Sequence, residues 1–464
     1  MRAALTPMLC LLAVLPACNP HVRRDPDQSQ VAVPQAFGAQ PEGPRVAAPD
    51  RWWEAFGDAG LDALADRLFA DNLDLKQSWA RLAQARAMAT QAGSARWPTL
   101  DLSASVGRGR SYDFLGNAND TNQYGLSAMA SYEVDLWGKV EARAQAADAD
   151  VVAARFDVEA TAMSLSGELV SAWYGLAEQQ AQLALLQGQL ETNETLLELV
   201  RLRFAQGLAS AVDVLQQQGQ VRRIQTQRPL IEARQAVLAN RLASLMGLTP
   251  GGLAYAPPTT LPVLPAAPAT GLPGELLRRR PDVQAARARA MAADHRIAVA
   301  LADRFPALRL TASTGFQSID LADLVDRWIW NVVANLTGPI IDGGRRAAVV
   351  EAERAGLRVQ LAGLGKSILR AIVEVEDALV QEARQAEHLQ ALDAQLDDAR
   401  SLLEQSQARY LEGLTDYVPV LTALQGLQTT EQSRVTAHAQ QVTFRIQLYR
   451  ALGGDWPHAL KEAP

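Results

Sequence analysis

The chain repeats itself, and that repeat limits what it can fold into more than any other feature. Arg203-Phe204-Ala205-Gln206-Gly207-Leu208 is echoed by Arg409-Tyr410-Leu411-Glu412-Gly413-Leu414, and Val212-Asp213-Val214-Leu215 by Val418-Pro419-Val420-Leu421. The same shift of 206 positions carries Met246-Gly247 onto Leu452-Gly453. Upstream, Arg96-Trp97-Pro98-Thr99-Leu100-Asp101-Leu102 matches Arg304-Phe305-Pro306-Ala307-Leu308-Arg309-Leu310 at a shift of 208. Four matches at nearly one spacing mark an internal duplication. One repeat covers residues 51–247 and the other 276–453; the Pro-rich stretch 248–275 connects them, and 454–464 form a tail.

Each repeat reads as helix, strand pair, very long helix and return helix. The long helices are predicted over 139–206 and 345–412, the return helices over 211–246 and 417–452. Leu169, Leu176, Leu183, Leu190, Leu197 and Phe204 stand at every seventh position of the first long helix. Their counterparts are Val375, Glu382, Leu389, Leu396, Leu403 and Tyr410. A sustained seven-residue period implies a left-handed supercoil of packed helices. At 1.5 Å per residue, such a helix of roughly 65 residues is on the order of 100 Å long. The first return helix carries its own sevens, Ile224, Ile231, Leu238 and Leu245, with Pro229 expected to kink or locally unwind it.

The strand pairs, 99–137 and 307–341, show the other period. Tyr124, Leu126, Ala128, Ala130, Tyr132, Val134 and Leu136 fall on one face, and Ser127, Ser131, Glu133 and Asp135 on the other. Leu100-Asp101-Leu102-Ser103 alternates in the same way, as do Leu308, Leu310, Ala312, Thr314 and Phe316, then Trp328, Trp330, Val332, Ala334 and Leu336. Each run has about ten residues, enough to cross a bilayer as a tilted strand, with aromatics toward the ends. The stretches Gly107 to Gln123 and Gln317 to Arg327 are polar and read as loops.

Composition excludes several classes. The 464 residues carry a formal net charge of −7 and no basic run of the kind that grips nucleic acid. Both cysteines, Cys10 and Cys18, lie near the start, so the rest of the chain has neither a disulfide framework nor a cysteine metal site. Arg2 and the apolar stretch Ala3 to Ala17 read as a secretory signal over 1–17. Leu15-Pro16-Ala17-Cys18 resembles a lipobox, although Pro16 departs from the usual residue there, and it marks Cys18 for a covalent lipid. Asn19 is compatible with passage to the outer membrane, and 18–50 reads as a lipidated, extended tether. No later run approaches the length of a spanning helix, a test that says nothing of barrel strands.

Four strands cannot stand alone in lipid, because their edge N–H and C=O groups would face hydrocarbon unpaired. Two chains would supply eight strands, a barrel largely filled by its own side chains; three supply twelve and leave a lumen. The fold class expected is therefore mixed α and β, mostly α: a tandem repeat forming a trimeric twelve-stranded outer-membrane β-barrel continued by a long periplasmic helical barrel.

The whole chain after the signal resembles the TolC family of outer-membrane efflux proteins, particularly its lipidated branch serving resistance–nodulation–division pumps. The match rests on Trp52-Trp53 with Phe56-Gly57-Asp58, on Glu275-Leu276-Leu277-Arg278-Arg279-Arg280-Pro281-Asp282-Val283 and on Phe305-Pro306. The strand-to-helix turns Asp135-Leu136-Trp137-Gly138 and Asp342-Gly343-Gly344-Arg345 and the two repeated helix-turn motifs complete it. The resemblance implies a homotrimer that conducts solutes passively, with a periplasmic adaptor, an inner-membrane pump and outer-membrane lipid as partners. It also implies that Arg203, Gly207, Leu208, Arg409, Gly413 and Leu414 meet the adaptor.

Ser210 and Asp416 occupy equivalent places after the Gly-Leu turns, and both residue types are favoured helix caps; Ser210 with Asp213 resembles a capping box. The sharper expectation is a periplasmic aperture narrowed by Asp416 and Tyr417, with Ser210 as its counterpart. The run Arg278 to Arg280 reads as a solvated turn before the helix opened by Pro281. His21, His295, His388, His438 and His458 are scattered, and no nucleophile elbow, phosphate loop or zinc motif occurs, so no enzyme, metal or cofactor is expected beyond the lipid on Cys18. A competing reading from another class is a periplasmic coiled-coil scaffold lipoprotein with soluble hairpins.

Overall fold

The fold, a computed structural model, describes residues 21–22, 31–38, 51–112, 114–256, 258–454 and 456–462; Cys18 and the expected signal lie outside them. In chain order the elements are α1 (Ala59–Asp71), α2 (Leu73–Ser94), β1 (Thr99–Tyr112), β2 (Ala118–Val134), α3 (Lys139–Ala205) and α4 (Ala211–Leu245). The second repeat supplies α5 (Pro273–Arg279), α6 (Pro281–Ala302), β3 (Ala307–Ser318), β4 (Trp328–Thr337), α7 (Arg345–Leu411) and α8 (Tyr417–Leu452). The long helices α3 and α7 have the same length, 67 residues, so the duplication extends to their boundaries.

The chain divides into two compact units. The first holds the sheet, a four-stranded antiparallel meander in the order β1-β2-β3-β4, with the adjoining parts of α2, α3, α6 and α7. Its helices pack through small residues: Ala142, Ala146, Ala149 and Ala153 of α3 and Ala285, Ala288, Ala292 and Ala293 of α6 are all buried. Ala293 and Ile297 close on Leu357 of α7. The strand-to-helix turns follow one design. Asp135 accepts from the amides of Val140 (3.1 Å) and Glu141 (2.8 Å) at the start of α3. Asp342 accepts from Gly344 (3.1 Å) and Arg346 (3.3 Å) at the start of α7. These amides have no partner inside their helix, and a carboxylate there also meets the positive end of the helix dipole. Trp137 stacks on Phe305 at 4.7 Å and donates its indole N–H to the carbonyl of Pro306, tying one turn to the other repeat.

The second unit holds the remaining helices. Trp52 stacks on Tyr449 (5.5 Å) and donates to Ser166, while Asp58 caps α1 and accepts from the Trp173 indole at 2.7 Å. Phe37, from the segment expected to be a bare tether, is buried against Leu276, Val375 and Leu448. Glu382 occupies a heptad position because Arg445 pairs with it there.

Three expectations are corrected. The stretch Gly107 to Gln123 is mostly ladder, since β1 and β2 stay in register out to Tyr112 and Ala118. Its polar side chains hid a hairpin that main-chain bonds and the bidentate Arg110–Asp120 pair (2.5 and 2.9 Å) hold together. Of the two effects expected of Pro229, local unwinding does not occur: α4 runs unbroken from Ala211 to Leu245. Pro229 lies on the exposed face, where solvent can reach the Gln225 carbonyl that loses its helix donor. Arg280 is buried, unlike Arg278 and Arg279. Its guanidinium binds Asp282 (2.8 and 3.0 Å), Glu374 (2.8 Å) and the Ala451 carbonyl (3.1 Å).

Candidate functional site

Register alone sorts the sheet into two chemical faces. Directly opposed residues of antiparallel strands share a face, so Leu102, Ala128, Thr314 and Trp330 form one row. The rows beside it are Ala104, Leu126, Phe316, Trp328 and Leu100, Ala130, Ala312, Val332. Toward the helices, the rows Tyr132-Leu310-Ala334 and Val134-Leu308-Leu336 continue this face. All four strands thus present most of their apolar residues on the same side, with Met129, Ile329 and Val333 the exceptions on the other. The other side carries Asp101, Ser103, Ser127, Ser131, Thr311, Ser313, Asn331 and Asn335, with Glu133 facing Arg309 across a 3.3 Å ion pair.

Among the described residues nothing in the protomer covers much of that apolar side. Leu102 is 78% exposed and Trp330 67%, in a contiguous run of exposed apolar residues of the kind that marks an interaction or membrane surface. The apolar run Tyr124–Val134 is eleven residues of β2. It measures about 34 Å along the strand and about 26 Å upright at a tilt of about 40°, close to the height of an outer-membrane barrel's apolar band. β1 and β4 are the sheet's edges, each hydrogen-bonded on one side only among the described residues. No helix among those residues is long and apolar enough to cross a membrane. On the polar side, a Cβ at Gly315 would lie 2.3 Å from the Leu126 carbonyl oxygen, so only glycine fits there.

The second candidate region is the pair of helix turns. Gly207 and Gly413 adopt left-handed backbone, φ 73° and 74°. Leu208 N–H donates to the Arg203 carbonyl (2.8 Å) and Gly207 N–H to that of Phe204 (2.9 Å). Leu414 and Gly413 repeat this on Arg409 (2.9 Å) and Tyr410 (3.1 Å). Both turns are Schellman closures, which explains the glycine directly: only it enters that conformation without strain. The leucines are a different matter. Leu208 and Leu414 stay largely exposed, as do Phe204, Val212, Leu215 and Val418 around them. Phe204, the last residue of the first heptad stripe, therefore points away from the core.

The two turns part company at their caps. Ser210 and Asp213 form a complete capping box at the start of α4. Asp416 holds the corresponding place before α8, but its side chain makes no capping bond. Pro419 stands where Asp213 stands in the first repeat, and it has no N–H to give. Asp416 remains exposed, whereas Tyr417 is buried in its own protomer, 1% exposed. The Tyr417 ring meets Tyr410 at 5.4 Å, and its hydroxyl donates to Gln217 Oε1 at 2.6 Å. Burial pushes the Tyr417 phenol above its ordinary value, so it stays a donor. Tyr417 is thus a packing residue that seats the turn, and of the expected aperture residues Asp416 and Ser210 are the exposed ones.

The sequence reading missed the polar chain behind these turns. Gln217 donates to the Asn193 carbonyl (2.8 Å), Asn193 to the Gln189 carbonyl (2.6 Å), and Gln220 to Gln428 Oε1 (3.0 Å). Arg203 lies over the Tyr410 ring at 4.6 Å. The signal was present: Gln217 continues the Ile224–Ile231 stripe by one heptad. Among the described residues no group of three His, Cys, Asp or Glu side chains is placed to hold a metal ion.

Comparison with known proteins gives the family. The profile of the family described as "Outer membrane efflux protein" matches twice, over residues 64–248 and 272–454, once per repeat. The solvent efflux pump outer membrane protein SrpC of Pseudomonas putida is 30% identical over 438 residues, 93% of each chain. Outer membrane protein OprJ of Pseudomonas aeruginosa is 31% identical over 429 residues, 90% of this chain and 88% of that one. Among solved structures, the outer-membrane channel OprN superposes with a TM-score of 0.90 at 27% identity, over 95% of this chain and 100% of that one.

Proposed function

The chain belongs to the outer membrane efflux protein family and is an outer-membrane efflux channel, and from that premise we propose that it works as a homotrimer whose three sheets close into one twelve-stranded barrel. The long helices of the three chains continue that barrel as a coiled-coil duct in the periplasm. Solutes pass through it passively, handed over by a periplasmic adaptor and an inner-membrane pump of the resistance–nodulation–division type. The chain is not itself an enzyme in this reading, and Cys18 carries the lipid that adds a second hold on the membrane.

The observation that carries this reading is the sheet: one continuous apolar face, an opposite face mostly of Ser, Thr, Asn and charged residues, and two edges unpaired among the described residues. A sheet with open edges is tolerated in hydrocarbon only when closed, and twelve strands leave the polar faces around a water-filled lumen. At the turns, the exposed leucines Leu208 and Leu414, with Arg203 and Arg409 beside them, are the surface offered to the adaptor; Gly207 and Gly413 shape it. The exposed Asp416 carboxylates, brought together around the threefold axis, narrow the periplasmic entrance and favour cations. Chemical cross-linking of the detergent-solubilised protein tests the assembly. The ladder should stop at three chains, and that species should conduct in a planar bilayer; a ladder ending at one or two, or a non-conducting trimer, rejects it.

A further inference from the structure

The lipid-facing side of the sheet does not end where its apolar rows end. Directly opposed residues share a face, so Arg108 opposite Asn122, Arg110 opposite Asp120 and Tyr112 opposite Ala118 continue the side of Leu102, Ala104 and Val106. These rows lie at the hairpin end of β1 and β2, the end away from α2 and α3. Arg108 and Arg110 stand two and four residues past Val106. That is roughly 7 and 14 Å along the strand, or roughly 5 and 10 Å upright at a tilt of about 40°. Headgroups occupy about 5–7 Å beyond the hydrocarbon on each side of a bilayer, so both arginines fall at that level. Arg110 donates to both oxygens of Asp120 (2.5 and 2.9 Å), while Arg108 reaches the same carboxylate only at 3.6 Å and keeps its side chain 75% exposed. Two guanidiniums share one carboxylate, which leaves one positive charge on this face among the described residues. Asn122 is exposed beside Arg108, and Tyr112, 68% exposed, offers a flat ring on the same side. A hairpin held by main-chain bonds and the Arg110 pair gains little from a second exposed arginine.

We propose that Arg108, Arg110, Asn122 and Tyr112 form a docking site for the phosphorylated sugar headgroup of an outer-leaflet glycolipid. The proposal rests on the outer-membrane channel reading and on the assignment of this side of the sheet to lipid. Arg108 takes the phosphate, because a guanidinium presents a fork of donors that matches two phosphate oxygens. The Asn122 amide donates beside it, and the Tyr112 ring carries the apolar face of the sugar. Arg110, fixed by Asp120, adds charge without having to be ordered on binding. The acyl chains of the same molecule lie along the rows of Val106, Ala104 and Leu102. Headgroup and tails are thus met by contiguous rows of one face, which selects a lipid over a free phosphate. The outer leaflet follows from direction: α2 and α3 leave the sheet from its other end, toward the periplasm.

Titration of the full-length, detergent-solubilised protein with bis-phosphorylated lipid A, read by native mass spectrometry, tests this directly. The trimer should hold it at least about tenfold more tightly than fully dephosphorylated lipid A, as one charge-assisted phosphate contact requires. Equimolar inorganic phosphate should not displace it, which separates a lipid site from a phosphate site. Arg108→Gln should remove the preference for the phosphorylated form. Arg309→Gln, which takes an arginine from the opposite face, should keep it. A conducting trimer that holds both glycolipids alike, that loses lipid A to phosphate, or whose two variants behave alike overturns the inference and leaves the channel assignment standing. The first comparison uses the wild-type protein, so it decides even where Arg108→Gln does not assemble. Protein that neither trimerises nor conducts removes the reading on which the inference rests, and the inference with it.

Discussion

Asp416 shows how a single neighbour changes what a residue can do. In the first repeat, Ser210 is capped reciprocally by Asp213; in the second, Pro419 occupies that third helical position and offers no amide. Asp416 is therefore a cap by position only, and its carboxylate is left to act as a charge. Asp416→Asn, which keeps the shape and removes the charge, should reduce cation selectivity and cation block in single-channel recordings; unchanged selectivity would return Asp416 to a structural role. Helix stability should barely move, in contrast to the cost of about 1 kcal/mol expected on losing a bonded cap. The substitution of Pro419 for Asp213 could be read from the sequence, since the two align in the duplication. The burial of Tyr417 could not. A tyrosine beside an aspartate in a turn reads as surface, but the ring packs with Leu196, Val200, Tyr410 and Leu424 while Gln217 on α4 takes its hydroxyl.

The strands and helices were legible to different degrees. Faces of β1 to β4 follow from a period of two, and the observed register keeps every even-numbered residue from Leu100 to Val106 on the face of Tyr124 to Val134. The polar extension beyond Val106 was illegible, because alternation vanishes where both faces meet water. Buried glutamines were missed for a related reason: a polar residue at a heptad position looks like surface until the facing helix supplies its partner. The face assignment predicts unequal outcomes for neighbours. Ala128→Arg should impair membrane insertion at a cost of about 2–4 kcal/mol near the midplane, whereas Ser127→Arg should be tolerated; equal yields of heat-modifiable outer-membrane protein from both would refute it.

The Arg280 cluster makes a prediction about helices α5, α6 and α7. Asp282 and Glu374 are desolvated, which alone would raise them, yet the Arg280 guanidinium holds both below their ordinary values. A carboxyl with a folded pKa below its unfolded one binds fewer protons when folded. Its stabilisation is present above the ordinary carboxylate range and disappears as the pH falls through the depressed value. Thermal melts taken down through pH 4 should show this loss, and Arg280→Ala should flatten it while lowering stability by about 2–3 kcal/mol, less than for a fully buried pair because both carboxylates keep some solvent contact. A parallel pH profile in the variant would assign the acid sensitivity elsewhere.

For the whole molecule, the proposed lipid on Cys18 and the proposed barrel would be two separate holds on one membrane. Cys18→Ser should therefore leave a trimer that conducts but is retained less well in the outer membrane during synthesis, measured as protein left in the periplasmic fraction. Intact mass of the mature wild-type protein should include the diacylglyceryl and acyl chains; an unmodified thiol would remove the basis for that prediction. Duplication also bears on how such a ring comes to exist. In the proposed barrel six hairpins must meet, but the β2–β3 seam, with eleven paired positions, is made within each chain. Half of the seams thus close as unimolecular events at the high effective concentration of a tether. Ring formation is then third order in polypeptide where an unduplicated ancestor would face sixth order, so a dilute chain arriving at the membrane has far fewer incomplete arcs in which to be trapped.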